Sequence, residues 1–252
     1  MNDLVSIIVP VYNVKNFIIE TIGYVRAQSY TNWELILIED HSDDGTGKLL
    51  TEYLDELQDD RIRVIWLDEN AGPAAARNLG VEQSRGRYIA YLDADDIWEP
   101  DKLLRQLGFM REKKAAFCFG NYEFADEQGA GTGKVVHVPA TLTYRRALRN
   151  TTIFTSTVMM DTEQIDRAKI RMPDVKSEDT ALWWQLLRSG YIAYGFQETL
   201  VRYRRPVKSL SSNKLTAIKR IWALYRKVEK LGVLYSGYNF CFWAFRAVRR
   251  RV

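Results

Sequence analysis

The sequence predicts an α/β protein: a three-layer fold with a mainly parallel central sheet covered by helices, followed by a helical C-terminal extension. Three observations carry this. Short β-branched apolar runs alternate with helix-period segments through residues 1–100. A polar, turn-rich loop follows each run. Strands spaced by helices need crossover connections, which give parallel pairing with both sheet faces buried.

The elements follow in order. Residues 5–11 (VSIIVPV) form a continuous apolar run, and residues 15–28 carry Phe17, Ile18, Ile22 and Val25 at helical spacing. Residues 34–38 (ELILI) are a second buried strand, and after EDHSDDGTG comes a helix through Leu49, Leu50, Tyr53, Leu54 and Leu57. Residues 61–67 are the third strand, 73–83 a helix and 88–92 the fourth strand. Regularity then weakens: a helix over 101–114, a strand over 116–120, a Gly-rich hairpin region over 121–138 and a strand or buried segment over 153–160. A helix over 179–189 and a strand near 192–203 complete what reads as a continuation of the same sheet. The last helix, residues 214–230, puts Leu215, Ile218, Ile221, Trp222, Tyr225 and Val228 on one stripe and Lys219, Arg220, Arg226 and Lys227 elsewhere.

Composition bounds the class. The 252 residues, 46% hydrophobic and 27% charged, suffice for a buried core and argue against disorder and against a multi-span membrane protein. MNDLVSIIVPVYN has an acid at Asp3 and no basic lead, so it does not read as a secretory signal, and cytoplasmic chemistry is expected. Cys118 and Cys241 stand far apart, so neither a disulfide framework nor a zinc site is indicated. The net charge of +4 is uneven: bases crowd residues 202–252, and acids crowd 34–69 and 93–101. That asymmetry points to an anionic partner for the C-terminal end.

In parallel sheets ligands gather beyond the carboxyl ends of the strands, where four polar loops should converge. The loop after the fourth strand reads DADD. Asp93 and Asp95, two apart at a strand end, share a side and offer hard oxygen donors suited to Mn²⁺ or Mg²⁺; the ordinary alternative is a solvated turn. Asp96 is left between supporting such a metal and capping the turn. In EDHSDDG, Asp40 can accept a hydrogen bond from a base N–H, while Asp43 and Asp44 read as turn and cap residues. Arg77 falls in the first turns of its helix, either facing the crevice or standing as an exposed helical charge. Ser177-Glu178-Asp179 opens a helix with Ser177 as a cap; the helix dipole there favours an ionised Asp179, as a general base requires. Arg204, Arg205 and Lys208 sit beside serines in YRRPVKSLSSNK, either binding phosphate oxygens or forming a solvated basic loop.

VSIIVPVYN, ELILIEDHSDDGT, NAGPAAARNLG, GRYIAYLDADDIWEP and SEDTALWWQLLRSG, in that order, resemble the family 2 glycosyltransferases of GT-A fold over about residues 5–190. The tail YRRPVKSLSSNK with IWALYRKVEKLG is similar to bacterial enzymes that build O-antigen, capsule or teichuronic acid chains. The resemblance implies a GT-A domain over 1–213, its nucleotide-binding half 1–100 and its acceptor-binding half 101–213, with 214–252 as a basic amphipathic extension. It implies that Pro10, Asp40, Arg77 and Asp93 line the nucleotide pocket, that Asp95 binds Mn²⁺ or Mg²⁺, and that Asp179 is the base of an inverting transfer from a nucleotide sugar, expected to be a UDP-hexose. The expected acceptor is a polyprenyl-diphosphate-linked saccharide.

The chain departs from the family in three places. His41 stands where relatives carry Gly, Pro206 follows Arg205 where many carry His, and the QxxRW motif of processive synthases is absent, so one sugar per acceptor is expected. A nucleotidyltransferase is the alternative enzyme, ranked low because PVYN stands where a GxGTR-like loop should be. A catalytically silent membrane-surface scaffold is the alternative outside enzymes. Tyr235, Tyr238, Phe240, Phe242, Trp243 and Phe245 beside Arg246 suit a lipid interface better than nucleic acid, so attachment to the inner membrane face is expected. A terminal packing helix or a homodimer contact is the plainer role for this segment.

Overall fold

The computed structural model describes residues 3–204 and 214–249. Val5–Val11 (β1), Trp33–Glu39 (β2), Ile62–Trp66 (β3) and Tyr88–Tyr91 (β4) pair in parallel, β1 between β2 and β4 and β3 outside β2. Ile18–Arg26 (α1), Thr46–Leu57 (α2) and Gly72–Gln83 (α3) are the crossovers. Alternation along β1 sends Ile8 into one core and Ile7 and Val9 into the other, the period of two expected of a strand buried on both faces. Helix α3 packs closely: a side chain at Gly80 would run into Ile8, so glycine is required where this helix crosses the sheet.

The second half extends that sheet. Ile97–Trp98 (β5) comes first, then helix Lys102–Lys113 (α4), then Phe117–Ala125 (β6), Gly131–Val136 (β7) and Thr141–Leu142 (β8). The short helix Tyr144–Ala147 (α5) and the 3₁₀ turn Thr155–Thr157 precede Met159–Asp161 (β9), after which come Glu178–Arg188 (α6) and Ala193–Arg204 (β10). The strand order is β3-β2-β1-β4-β9-β6-β10-β5, with β7 on β6 and β8 on β10. Antiparallel β9 joins the two halves between β4 and β6. The predicted Gly-rich hairpin is β6–β7. The short strand β5, antiparallel to β10, was not expected from the DADDIWEP turn.

Lys214–Ala223 (α7) passes into a π-helical stretch, Leu224–Val228, where one continuous α-helix was expected. The aromatic segment becomes Val233–Arg249 (α8). Tyr225 stacks on Trp184 at 5.3 Å and donates to the Leu148 carbonyl, and Trp243 Nε1–H donates to Thr151 Oγ1 at 3.0 Å. One face of α8 is thus bound to the domain. The other exposes Tyr238, Phe242, Phe245 and Leu234, the last 92% exposed. Among the described residues, no helix is long and apolar enough to cross a membrane.

Candidate active site

The carboxyl ends of β1 to β4 open on a cleft of about 390 Å³ lined by Pro10, Asp40, Asn70, Arg77, Asp93 and Asp95, with Tyr12 and Gly72. Every residue expected to hold nucleotide or metal therefore faces one space.

Asp40 is 2% exposed and spans the head of α3: the Ala71 N–H donates to Oδ1 at 2.7 Å and the Gly72 N–H to Oδ2 at 2.9 Å. Each oxygen keeps a further lone pair for a ligand. Its neighbour His41 has φ +59°, the left-handed conformation that favours glycine. The Glu39 carboxylate holds the turn by accepting the N–H groups of His41 and Ser42 at 3.1 and 2.9 Å. Gly45, at φ +89°, takes the cap position of α2, and Asp44 just before it accepts the Thr46 N–H at 2.9 Å, so neither Asp43 nor Asp44 is itself the cap residue.

Arg77 is 7% exposed and is not a solvated helical charge. Its two terminal nitrogens donate to Asp93 Oδ1 at 2.6 Å and to Glu178 Oε1 at 3.0 Å, so it ties α3 to the acidic loop and to the first turn of α6. Glu178 was read only as a first-turn acid. Its burial and the adjacent Asp179 hold its carboxyl above the usual value, while Arg77 opposes them.

The three aspartates of DADD separate. Asp93 and Asp95 line the cleft, whereas Asp96 is buried behind the loop, where the Ser156 hydroxyl donates to it. Burial, then the charges of Asp95 and Asp93, push the Asp96 carboxyl well above its ordinary value. Ser156 also accepts the Asp93 N–H at 3.0 Å, and its carbonyl accepts Trp98 Nε1–H at 2.8 Å. Next to it, Thr155 Oγ1 donates to Asp179 Oδ2 at 3.0 Å. This 3₁₀ turn fixes both the acid loop and the expected base. A strand or buried segment over 153–160 becomes this turn followed by β9, and the hydroxyl run Thr155-Ser156-Thr157 ahead of apolar residues is the signal for it.

Asp179 is half-buried in the first turn of α6. Ser177 occupies the cap position with φ +65° and makes no side-chain capping bond, so the expected serine cap is absent. Arg204 is 4% exposed and lies outside the cleft lining: it donates to Glu20 at 2.9 Å and to the Glu127 carbonyl at 3.1 Å, over the Phe17 ring. Its charge nonetheless reaches Asp95, whose acidity it favours. Arg205 and Lys208 lie outside the described residues.

The donor set fits a divalent cation. Burial, reinforced by Asp93, pushes Asp95 up to about 6, which marks a place short of positive charge. Among the described residues, no three acidic, His or Cys side chains form a closed ligand group, so an ion here would take its remaining ligands from substrate oxygens and water, as Mg²⁺ commonly does.

The mainly parallel sheet with a cleft at its strand ends is the architecture of the GT-A fold. Residues 6–163 match the glycosyl transferase family 2, and the chain belongs to that family. It is 43% identical over 99% of its length to TuaG of Bacillus subtilis strain 168, a glycosyltransferase assigned to teichuronic acid biosynthesis, covering 98% of that protein. It is 36% identical over 87% of its length to WfgD of Escherichia coli, covering 84% of that enzyme, a UDP-Glc:α-D-GlcNAc-diphosphoundecaprenol β-1,3-glucosyltransferase. Among solved structures it resembles the mannosyltransferase PcManGT of Pyrobaculum calidifontis, determined with GDP-Man and Mn²⁺. That likeness has a TM-score of 0.72 at 17% identity over 95% of this chain and 72% of the other.

Proposed function

We propose that this enzyme moves a single hexose from a UDP-sugar to a hydroxyl of a polyprenyl-diphosphate-linked saccharide, inverting the anomeric centre, in cell-surface polysaccharide synthesis. The observation that carries the reading is the convergence of Pro10, Asp40, Arg77, Asp93 and Asp95 on one cleft, with Arg77 joining it to the helix that bears Asp179. The free lone pairs of Asp40 accept the uracil N–H, and Asp93 and Asp95 hold ribose and cation. Mn²⁺ or Mg²⁺ bound there supplies positive charge to the diphosphate as it leaves.

Asp179 takes the proton of the acceptor hydroxyl. The hydroxyl oxygen bonds to the anomeric carbon as that carbon's bond to the diphosphate oxygen breaks, and the electron pair leaves with UDP. Thr155 holds one carboxylate oxygen at the head of α6, so the base is oriented before the acceptor arrives. Arg204 offsets negative charge from behind Asp95, and Arg205 and Lys208 are assigned to the diphosphate. A lipid-linked acceptor is in keeping with the activity of the Escherichia coli relative and with the exposed aromatic side chains of α8, which we assign to the inner face of the cell membrane.

The test is transfer from a panel of nucleotide sugars with Mn²⁺, for wild type, Asp95→Ala and Asp179→Asn. Asp179→Asn should bind UDP-glucose normally and lose at least 100-fold in turnover; Asp95→Ala should lose Mn²⁺-dependent donor binding. If both variants match wild type, these assignments are wrong.

A further inference from the structure

Three cavities run into one another. The donor cleft shares Gly72 and Pro73 with a cavity of about 350 Å³. That cavity shares Val175 and Lys176 with a groove of about 470 Å³ beneath α7 and the π-helical stretch. The groove's walls carry Lys176, Lys219, Arg220 and Lys227, its apolar surface includes Val175 and Leu224, and no carboxylate lines it.

None of the four cations forms an ion pair with a carboxylate among the described residues; Arg220 Nε lacks an acceptor, as do the Nε atoms of Arg77 and Arg204, but those two are paired through their terminal nitrogens. Elsewhere this chain pairs its partly buried arginines: Arg77 with Asp93, Arg87 with Asp161, Arg204 with Glu20. Four converging cations over an apolar floor therefore suit a compact polyanion joined to a hydrocarbon chain. Ile218 and Trp222, exposed on the same helix, add apolar surface beside the groove. An acidic peptide would satisfy the lysines but not this surface.

Resting on the transfer reading above, we propose that this groove holds the diphosphate and first prenyl unit of the lipid-linked acceptor. Lys176 stands three residues before Asp179 in the chain. The joining cavity is lined by Glu178, the chain neighbour of Asp179, and by Asp174, Val175 and Lys176, the last two shared with the groove, and an acceptor sugar carries its diphosphate on the far side of its ring from the reacting hydroxyl. The lysines thus recognise the acceptor by its phosphates, separately from the donor's diphosphate at Asp93 and Asp95.

The test is calorimetric titration of the full chain with farnesyl diphosphate, inorganic diphosphate and UDP-glucose with Mn²⁺, and sedimentation with phosphatidylglycerol vesicles. Wild type should bind farnesyl diphosphate more tightly than inorganic diphosphate, and UDP-glucose should not displace it. Lys219→Ala/Lys227→Ala should weaken farnesyl diphosphate at least tenfold while leaving UDP-glucose affinity and vesicle binding unchanged; Lys176→Ala should weaken it less. Both lysines of the double variant are exposed, so the fold should survive, as an unchanged melting temperature would verify.

Equal farnesyl diphosphate affinity in the double variant, displacement by UDP-glucose, or an equal loss of vesicle binding would overturn the groove assignment. Failure of UDP-glucose to bind, with lysine-dependent farnesyl diphosphate binding intact, would overturn the donor reading and leave the groove standing.

Discussion

Arg77 donates to Asp93 at 2.6 Å from a position where it is almost wholly buried, and its other terminal nitrogen reaches Glu178. One guanidinium thereby neutralises an acid of the cleft and couples it to the helix bearing the proposed base. A planar fork can span two carboxylates in this way; an ammonium is a single point charge.

Arg77→Lys should therefore keep the charge and lose the bridge, with kcat/KM falling about 100-fold and stability by about 2 kcal/mol. Arg77→Ala should destabilise more, by about 3–5 kcal/mol, because it leaves two acids facing each other without compensation. Urea denaturation and initial-rate kinetics read both. A lysine variant with native activity would show that the bridge is dispensable.

Asp95, pushed up to about 6, gives donor binding a pH dependence. Its raised value means that the folded chain holds this proton more tightly than the unfolded chain does. Without metal, stability should fall as pH rises from about 4 through 6, and a bound cation should reverse the loss. Since Mn²⁺ competes with the proton, its affinity should drop about tenfold between pH 7 and pH 5. Titrations at the two pH values check this, and Asp95→Asn should abolish both binding and slope.

Much of this site was legible in the sequence because its residues come from four short segments whose chain positions are fixed by strand ends. Pro10, Asp40, Asp93 and Asp95 need only a strand to stop at the right residue. The fate of Arg77 was not legible: helical spacing placed it on a crevice-facing or an exposed side, but only packing against residues 101 positions away in the chain supplied Glu178. Thr155 and Ser156 were hidden for the same reason, since a 3₁₀ turn between irregular segments has no period to read. β5 was missed because two residues make no pattern. Arg204 was read for its charge, and its partner Glu20 lies at the other end of the chain.

Thr155→Val should isolate the role of the turn. The substitution keeps shape and removes the hydroxyl that donates to Asp179, so kcat should fall about tenfold with the donor KM unchanged. Thr155→Ser should restore kcat; an unchanged kcat in the valine variant would reduce the turn to scaffolding.

His41 occupies a left-handed backbone position without being glycine. His41→Gly should raise stability by about 0.5 kcal/mol, the relieved strain being partly offset by the freer unfolded chain, and His41→Val should lower it by about 1–2 kcal/mol. Thermal denaturation distinguishes the two, and equal melting temperatures for glycine and valine would show that the loop adapts.

Lys102 presents the opposite case, a charge the fold holds at a cost. It is 2% exposed at the first residue of α4, where the helix dipole disfavours a cation, and its Nζ lacks a hydrogen-bond partner among the described residues. The Trp98 ring, 3.7 Å from Nζ, offers some compensation. Burial pushes the amine from 10.5 down to about 7. Between those values the unfolded chain carries a proton that the folded chain lacks, so this residue makes stability rise with pH from about 7 to 10.5. Lys102→Met fills the same volume without charge. It should stabilise the protein by about 2 kcal/mol at pH 7 and flatten that part of the profile. Urea unfolding at pH 7 and pH 9 measures both. A methionine variant less stable than wild type at pH 7 would mean that the ammonium–indole contact outweighs the cost of burial.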